Sequence, residues 1–137
     1  MTLYVKPVPV TYVAQVWPMV ERHLAAAQEY CGDDYTLEQI QVYVSSGQWL
    51  LLVAVDEQGV IHGAATISFI NYPSDRVGFI TFIGGRLISN KDTFAQLVAI
   101  LKSQGATKIQ GAAREAIARL WSRYGFKERY RIVETSI

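Results

Sequence analysis

The chain has 137 residues, of which 50% are hydrophobic and 18% charged, with a net charge of +1. These proportions exclude a disordered chain, a collagen-like repeat and a coiled coil, and the length suits one core, so a single domain over residues 1–137 is expected. The longest apolar run, Trp49 to Val55, falls far short of the ~20 residues of a membrane span, no leader pattern opens the chain, and the one cysteine, Cys31, can form neither a disulfide nor a cysteine-based metal site within it. A reducing, cytoplasmic setting is the expectation.

Residues 3–10 are rich in strand formers, but Pro7 and Pro9 lack ladder donors, which predicts a short edge strand. Thr11 can cap a helix whose buried face is Val13, Val16, Trp17, Val20 and Leu24, with Pro18 kinking it or opening a second helix, and with an end near Cys31-Gly32. Thr36 caps a second helix through Ile40, Tyr43 and Val44, which Ser45-Ser46-Gly47 stops. Three strands follow as a meander: Trp49 to Val55, Val60 to Ile70 across the turn Asp56–Gly59, and Val77 to Ile83 across the turn cluster 71–75, ending at Gly84-Gly85. Ser89 or Asn90 can cap a helix with the stripe Phe94, Leu97, Val98 and Leu101, closed by Gly105. A short strand from Thr107 to Ala112, a helix from about Arg114 to Tyr124 and a terminal strand from Phe126 to Thr135 complete the chain.

The order strand, two helices, three strands, helix, strand, helix, strand resembles the GNAT (GCN5-related N-acetyltransferase) fold, and the stretch Arg114 to Glu128, with its Tyr124-Gly125-Phe126 turn, is similar to the ending of that family. The resemblance implies an α/β domain with a mixed, mostly antiparallel central sheet, flanking helices and a cleft where the fourth and fifth strands splay. It also implies acetyl-CoA as co-substrate, its pantetheine on the fourth strand and its pyrophosphate on the amides that start the next helix, with Phe82, Ile83, Gly84, Gly85, Arg86, Lys91 and Arg114 as the binding residues. The family's glycine-rich pyrophosphate loop is replaced by Gly84-Gly85-Arg86-Leu87-Ile88-Ser89-Asn90-Lys91-Asp92, with no glycine at the helix start. Where many members carry a tyrosine acid this chain has Trp121, whose indole has no useful acidity, and Arg114 stands for the family's asparagine. Trp17-Pro18, Gly84-Gly85 and Arg114 also resemble a group of divergent phage-encoded GNAT-like proteins.

Two function classes follow. One is an N-acyltransferase acting on an amine; the other is a catalytically inactive module, as in a phage virion or assembly component, that binds a phage or host protein, with a homodimer as a further partner state. Tyr124 and Glu57 are the catalytic candidates, beside Asp33, Asp34 and Asp56 as acids in turns. Arg86, Lys91 and Arg114 are the phosphate candidates. Residues 102–137 hold eight basic and three acidic side chains, which suits an anionic partner, but Glu115 can pair with Arg119, and basic residues interleaved with aromatics are too few for a nucleic-acid surface. His23 is placed on the polar side of the first helix, His62 inside a strand without a second ligand, Trp121 in the core, and no metal site is expected.

Overall fold

The structure is a computed structural model that describes residues 1–29 and 34–137; Cys31, Gly32 and Asp33 of the candidates above lie outside them. Its elements are β1 (Tyr4–Pro7), α1 (Val13–Gln28), α2 (Leu37–Ser45), β2 (Leu50–Val55), β3 (Ile61–Asn71), β4 (Arg76–Gly85), α3 (Lys91–Ser103), β5 (Lys108–Gly111) and α4 (Glu115–Ser122). The strands form one sheet in the order β1-β2-β3-β4-β5. Every pairing is antiparallel except β4 with β5. No described helix is long and apolar enough to cross a membrane.

Residues alternate between the two faces of a strand, and β2 shows this directly. Leu51 and Val53 pack under α1 and α2 with Val13, Trp17, Val20, Leu24, Ile40 and Val44. Leu52 and Ala54 pack on the other face with Leu97, Leu101 and Trp121 from α3 and α4. Both faces are therefore covered, which explains why β2 reads as an unbroken apolar run rather than an alternating one.

The helix starts show what local chemistry controls. Thr36 accepts from the Gln39 N–H at 3.1 Å while the Gln39 side chain accepts from the Thr36 N–H at 2.9 Å, a reciprocal box that opens α2. α1 begins differently from expectation: Thr11 lies in a 3₁₀ turn over Val10–Tyr12, and the cap position is Tyr12 with no side-chain bond. Pro18 neither breaks nor starts a helix but sits inside α1. It leaves the Ala14 carbonyl without its usual donor, a loss confined to one bond in the second turn.

Two departures concern the sheet. Strand β4 continues through Gly84 and Gly85, which pair with Ala64 and Gly63, so the glycines end the strand instead of following it. The terminal strand expected over 126–135 is absent: no ladder forms after α4, and residues 127–137 are exposed. Strand propensity is realised only in a ladder, and the last segment of the chain forms none with the described strands.

Candidate functional site

Strand β5 covers only half of β4. Val77 to Ile80 pair with Lys108 to Gly111, while Thr81 to Gly85 have no strand partner on that side among the described residues. The two strands diverge there, and the wedge between them is a cavity of about 290 Å³. Its walls are the free half of β4, Ile88, Ala112 to Arg114 at the start of α4, and Ile117 and Trp121 further along that helix. The unpaired stretch of β4 is a row of backbone groups able to pair with an extended ligand.

A bulge sets the shape of that stretch. Thr66 pairs with Phe82 and Ile67 with Ile80, so Thr81 is an extra residue on β4. An extra residue reverses the facing of everything after it. Ile80 accordingly packs on the α3 and α4 side, whereas Phe82, two residues later, packs on the α1 and α2 side among Tyr35 and Trp49. Thr81 is anchored by its hydroxyl, which lies 2.6 Å from the Thr66 hydroxyl and donates to the Thr66 carbonyl at 2.9 Å. Phe82 thus offers the cleft backbone rather than its ring. The sequence carried no sign of this bulge beyond a threonine in an apolar run.

Gly84 and Gly85 line the cleft wall, and packing on their other side explains both. A Cβ on Gly84 would collide with the His23 carbonyl of α1, and one on Gly85 would meet the His62 carbonyl and lie 2.8 Å from His23 Nδ1. Gly85 also has φ of 67°, the left-handed region that glycine enters at no cost. A second bulge contributes: Ala54 pairs with Gly63 and Val55 with Ile61, leaving His62 over. The His62 carbonyl then accepts from the Arg86 N–H at 2.9 Å and fixes the loop after β4. On its other side His62 Nε2 lies 2.8 Å from Asp56, whose carboxyl is held below its ordinary pKa first by that hydrogen bond and then by the Val60 and Gln58 amides.

His23 does not lie on a polar face. It belongs to the stripe Val16, Val20, His23, Ala27, whose spacing of four, three and four turns it toward the sheet, and it is half-buried with Nε2 shielded and unpaired. Burial pushes its pKa below 6.5; a hydrogen bond to the Ile61 backbone opposes this, and the charges of Arg22 and His62 add to it.

At the start of α3, where an anion would be bound by free amides and the helix dipole, side chains already take up the Ser89, Asn90 and Thr93 amides. Asn90 Oδ1 accepts from the Thr93 N–H at 2.9 Å, and Thr93 Oγ1 accepts from the Ser89 and Asn90 amides at 3.0 and 3.2 Å. Asp92 adds an acidic group to the first turn. Leu87, in the loop before it, is fully buried and holds that loop down on the core. Arg86 and Lys91 are exposed at this rim, and Arg114, at the N-cap position of α4, lines the cleft itself.

The remaining candidates separate. Trp121 is buried over Gly111, where a Cβ would come within 3.0 Å of its ring, and packs on Phe126 with centroids 5.2 Å apart while closing the inner end of the cleft. Tyr124 stacks on Phe94 at 5.1 Å and lines a different groove, along the outer edge of β5. Glu57 is exposed in the β2–β3 turn, and Asp34 is exposed ahead of α2. No three His, Cys, Asp or Glu side chains among the described residues are grouped to hold a metal ion.

No family model and no curated protein matches the sequence. Solved structures match it over nearly the whole chain. An aminoglycoside acetyltransferase from an uncultured soil metagenomic sample, in complex with sisomicin, superposes with a TM-score of 0.70 at 13% identity, covering 98% of this chain and 96% of that one. A predicted acetyltransferase from Clostridium acetobutylicum, solved with acetyl-CoA, gives 0.65 at 16% identity with coverage of 98% and 96%. Glucosamine-6-phosphate N-acetyltransferase from Arabidopsis thaliana gives 0.65 at 13%, with 99% of each chain covered.

Proposed function

Because the chain has the GNAT fold, we propose that its cleft takes the acyl-pantetheine end of an acyl-CoA, acetyl-CoA in the simplest case, and passes the acyl group to an amine. The observation that carries this reading is the unpaired half of β4, Thr81 to Gly85, bordering an apolar cavity of about 290 Å³ with Arg114 on its wall. That volume suits a thioester and the adjoining arm, with the nucleotide end outside. Because the Ser89, Asn90 and Thr93 amides are already engaged, the diphosphate would meet Arg114, Arg86 and Lys91 in place of a full backbone cradle. Arginine side chains make strong charge-assisted bonds to phosphate oxygens.

In this reading the neutral amine attacks the thioester carbon directly. The new N–C bond forms as the C–S bond breaks, and backbone N–H groups of the bulged strand carry the charge that develops on the carbonyl oxygen. The amine's surplus proton leaves to water and the thiolate is protonated from water. The Trp121 indole N–H is too weak an acid to supply a proton, and Tyr124 and Glu57 lie outside the cleft. Positioning then accounts for most of the rate. Calorimetric titration with acetyl-CoA tests it: micromolar binding, weakened about tenfold by Arg114→Ala through loss of one charge-assisted contact, is the expected result. No heat and no thermal shift at millimolar acetyl-CoA would sink it.

One observation favours a second reading. The side-chain bonds to the Ser89, Asn90 and Thr93 amides and the acidic Asp92 disfavour an anion at the start of α3, which a GNAT-fold module that binds a protein partner, in a phage particle for example, would tolerate. Absence of any acyl-CoA binding together with an intact fold is the outcome that selects it.

A further inference from the structure

An acyl-pantetheine arm reaches an acyl-transfer site in one of two forms. In a free acyl-CoA the arm ends in a diphosphate and a nucleotide. On a carrier protein it ends in one phosphodiester to a serine, and the protein around that serine makes the remaining contacts. The two forms place different demands on the mouth of a cleft. A diphosphate suits converging amides, whereas a carrier protein needs an outward-facing surface of opposite charge with apolar area at its centre.

The mouth of this cleft is of the second kind. Side chains take up the Ser89, Asn90 and Thr93 amides, and the fully buried Leu87 fixes the loop before them on the core. What faces outward is positive charge on separate elements. Arg86 lies in the loop after β4, Lys91 opens α3, Arg119 lies on α4 and Arg123 at its C-cap, and all four are exposed. None of the four forms an ion pair among the described residues. Leu120, beside Arg119 and one turn from Arg123, is 40% exposed and lines the cleft itself. The acidic groups nearby are Glu115 and Asp92, and Asp92 accepts from Gln96 Nε2 at 3.0 Å. The two segments that border the mouth, 84–92 and 112–123, thus hold five basic and two acidic residues. Cations on several elements around an exposed leucine, at the entrance of an apolar slot, match an acidic protein whose arm enters that slot.

On the basis of the acyl-pantetheine reading of the cleft, we propose that the donor is an acidic carrier protein bearing the acyl group as a thioester on its phosphopantetheine arm. The arm runs along Thr81 to Gly85 and its phosphate meets Arg114, which lines the cleft. The carrier's acidic face lies on Arg86, Lys91, Arg119 and Arg123 around Leu120. In the transfer the amine nitrogen bonds to the thioester carbon as the C–S bond breaks. The amine's surplus proton goes to water, the arm's thiolate takes a proton from water, and the carrier leaves with a free thiol.

Calorimetric titration of the full chain with three probes tests this: acetyl-CoA, S-acetyl-4′-phosphopantetheine, and an acidic bacterial acyl carrier protein loaded with the acetylated arm. The two small donors are expected to bind within about threefold of each other, because the amides that would grip a diphosphate are engaged. The loaded carrier is expected to bind at least about tenfold tighter than either at low salt, and to lose that advantage at about 0.5 M sodium chloride. Arg119→Glu combined with Arg123→Glu, both exposed and outside the cleft lining, is expected to weaken the carrier by more than about tenfold and to leave the small donors unchanged. Acetyl-CoA binding more than about tenfold tighter than acetyl-phosphopantetheine overturns the proposal, since the nucleotide end is then what the rim recognises. A loaded carrier no tighter than the small donors overturns it too, as does one indifferent to the double substitution. In those cases an arm still binds and the acyl-pantetheine reading stands. No binding of any of the three, to a chain folded by circular dichroism, removes that reading and the carrier with it.

Discussion

Gly84→Ala separates two reasons for having the glycine pair: close approach of a ligand to the cleft wall, or close approach of α1 to the back of β4. The added methyl would collide with the His23 carbonyl, a backbone atom within α1, so no side chain can swing away. Relief requires α1 to lift from the sheet, disturbing the packing of Val20 and Leu24, which are fully buried there. Overpacking of this kind costs about 1–3 kcal/mol, and with two backbone elements in opposition the upper figure applies. For a chain of this size about 3 kcal/mol lowers the melting temperature by about 10 °C. Thermal unfolding followed by circular dichroism, with urea titration for the free energy, measures it. A fall under about 3 °C, which corresponds to less than 1 kcal/mol, would refute the packing argument, and if acetyl-CoA binding were lost at the same time the glycine would belong to the ligand.

Thr93→Ala removes the hydroxyl that serves the Ser89 and Asn90 amides; a loss of about 1–2 kcal/mol in urea unfolding is expected, and a neutral result would show that water replaces the cap. Trp121→Ala should cost about 3–5 kcal/mol, because the indole fills the space between Gly111 and Phe126; a smaller drop in urea midpoint would mean that the cleft collapses into the vacancy. His23 gives stability a pH dependence of defined sign. Its folded pKa lies below the unfolded 6.5 because burial penalises the cation, so its contribution is complete above that value and is lost as pH falls through the folded pKa. The melting temperature is therefore expected to drop between pH 7 and pH 5, and His23→Gln to flatten that slope; an equal slope in the variant would remove His23 as the cause.

The elements that local chemistry controls were legible from the residues alone. The helical stripe from Val13 to Leu24, the Thr36 cap with its Gln39 partner, the apolar run of β2 and the Asp56–Gly59 turn all rest on interactions within a few positions. Their order was enough to suggest the fold. The cleft residues were harder to read, since the motif implies where a ligand lies but not what presses from behind. Gly84 and Gly85 looked like a ligand surface, and the contact with His23, some sixty residues earlier in the chain, could not be seen.

What the sequence determined by itself is therefore the element order from β1 to α4, the Thr36 and Asn90 caps, and the absence of a glycine-rich anion loop or a tyrosine in place of Trp121. Tertiary structure decided the rest: the bulge at Thr81 that turns Phe82 away from the cleft, the half-length pairing of β5 that opens it, and the exposure of residues 127–137 despite their strand composition. The physical reason is the same in each case. A helix satisfies its hydrogen bonds within its own segment, whereas a strand exists only through a partner remote in sequence, so register, bulges and open edges are properties of the pair and not of either strand.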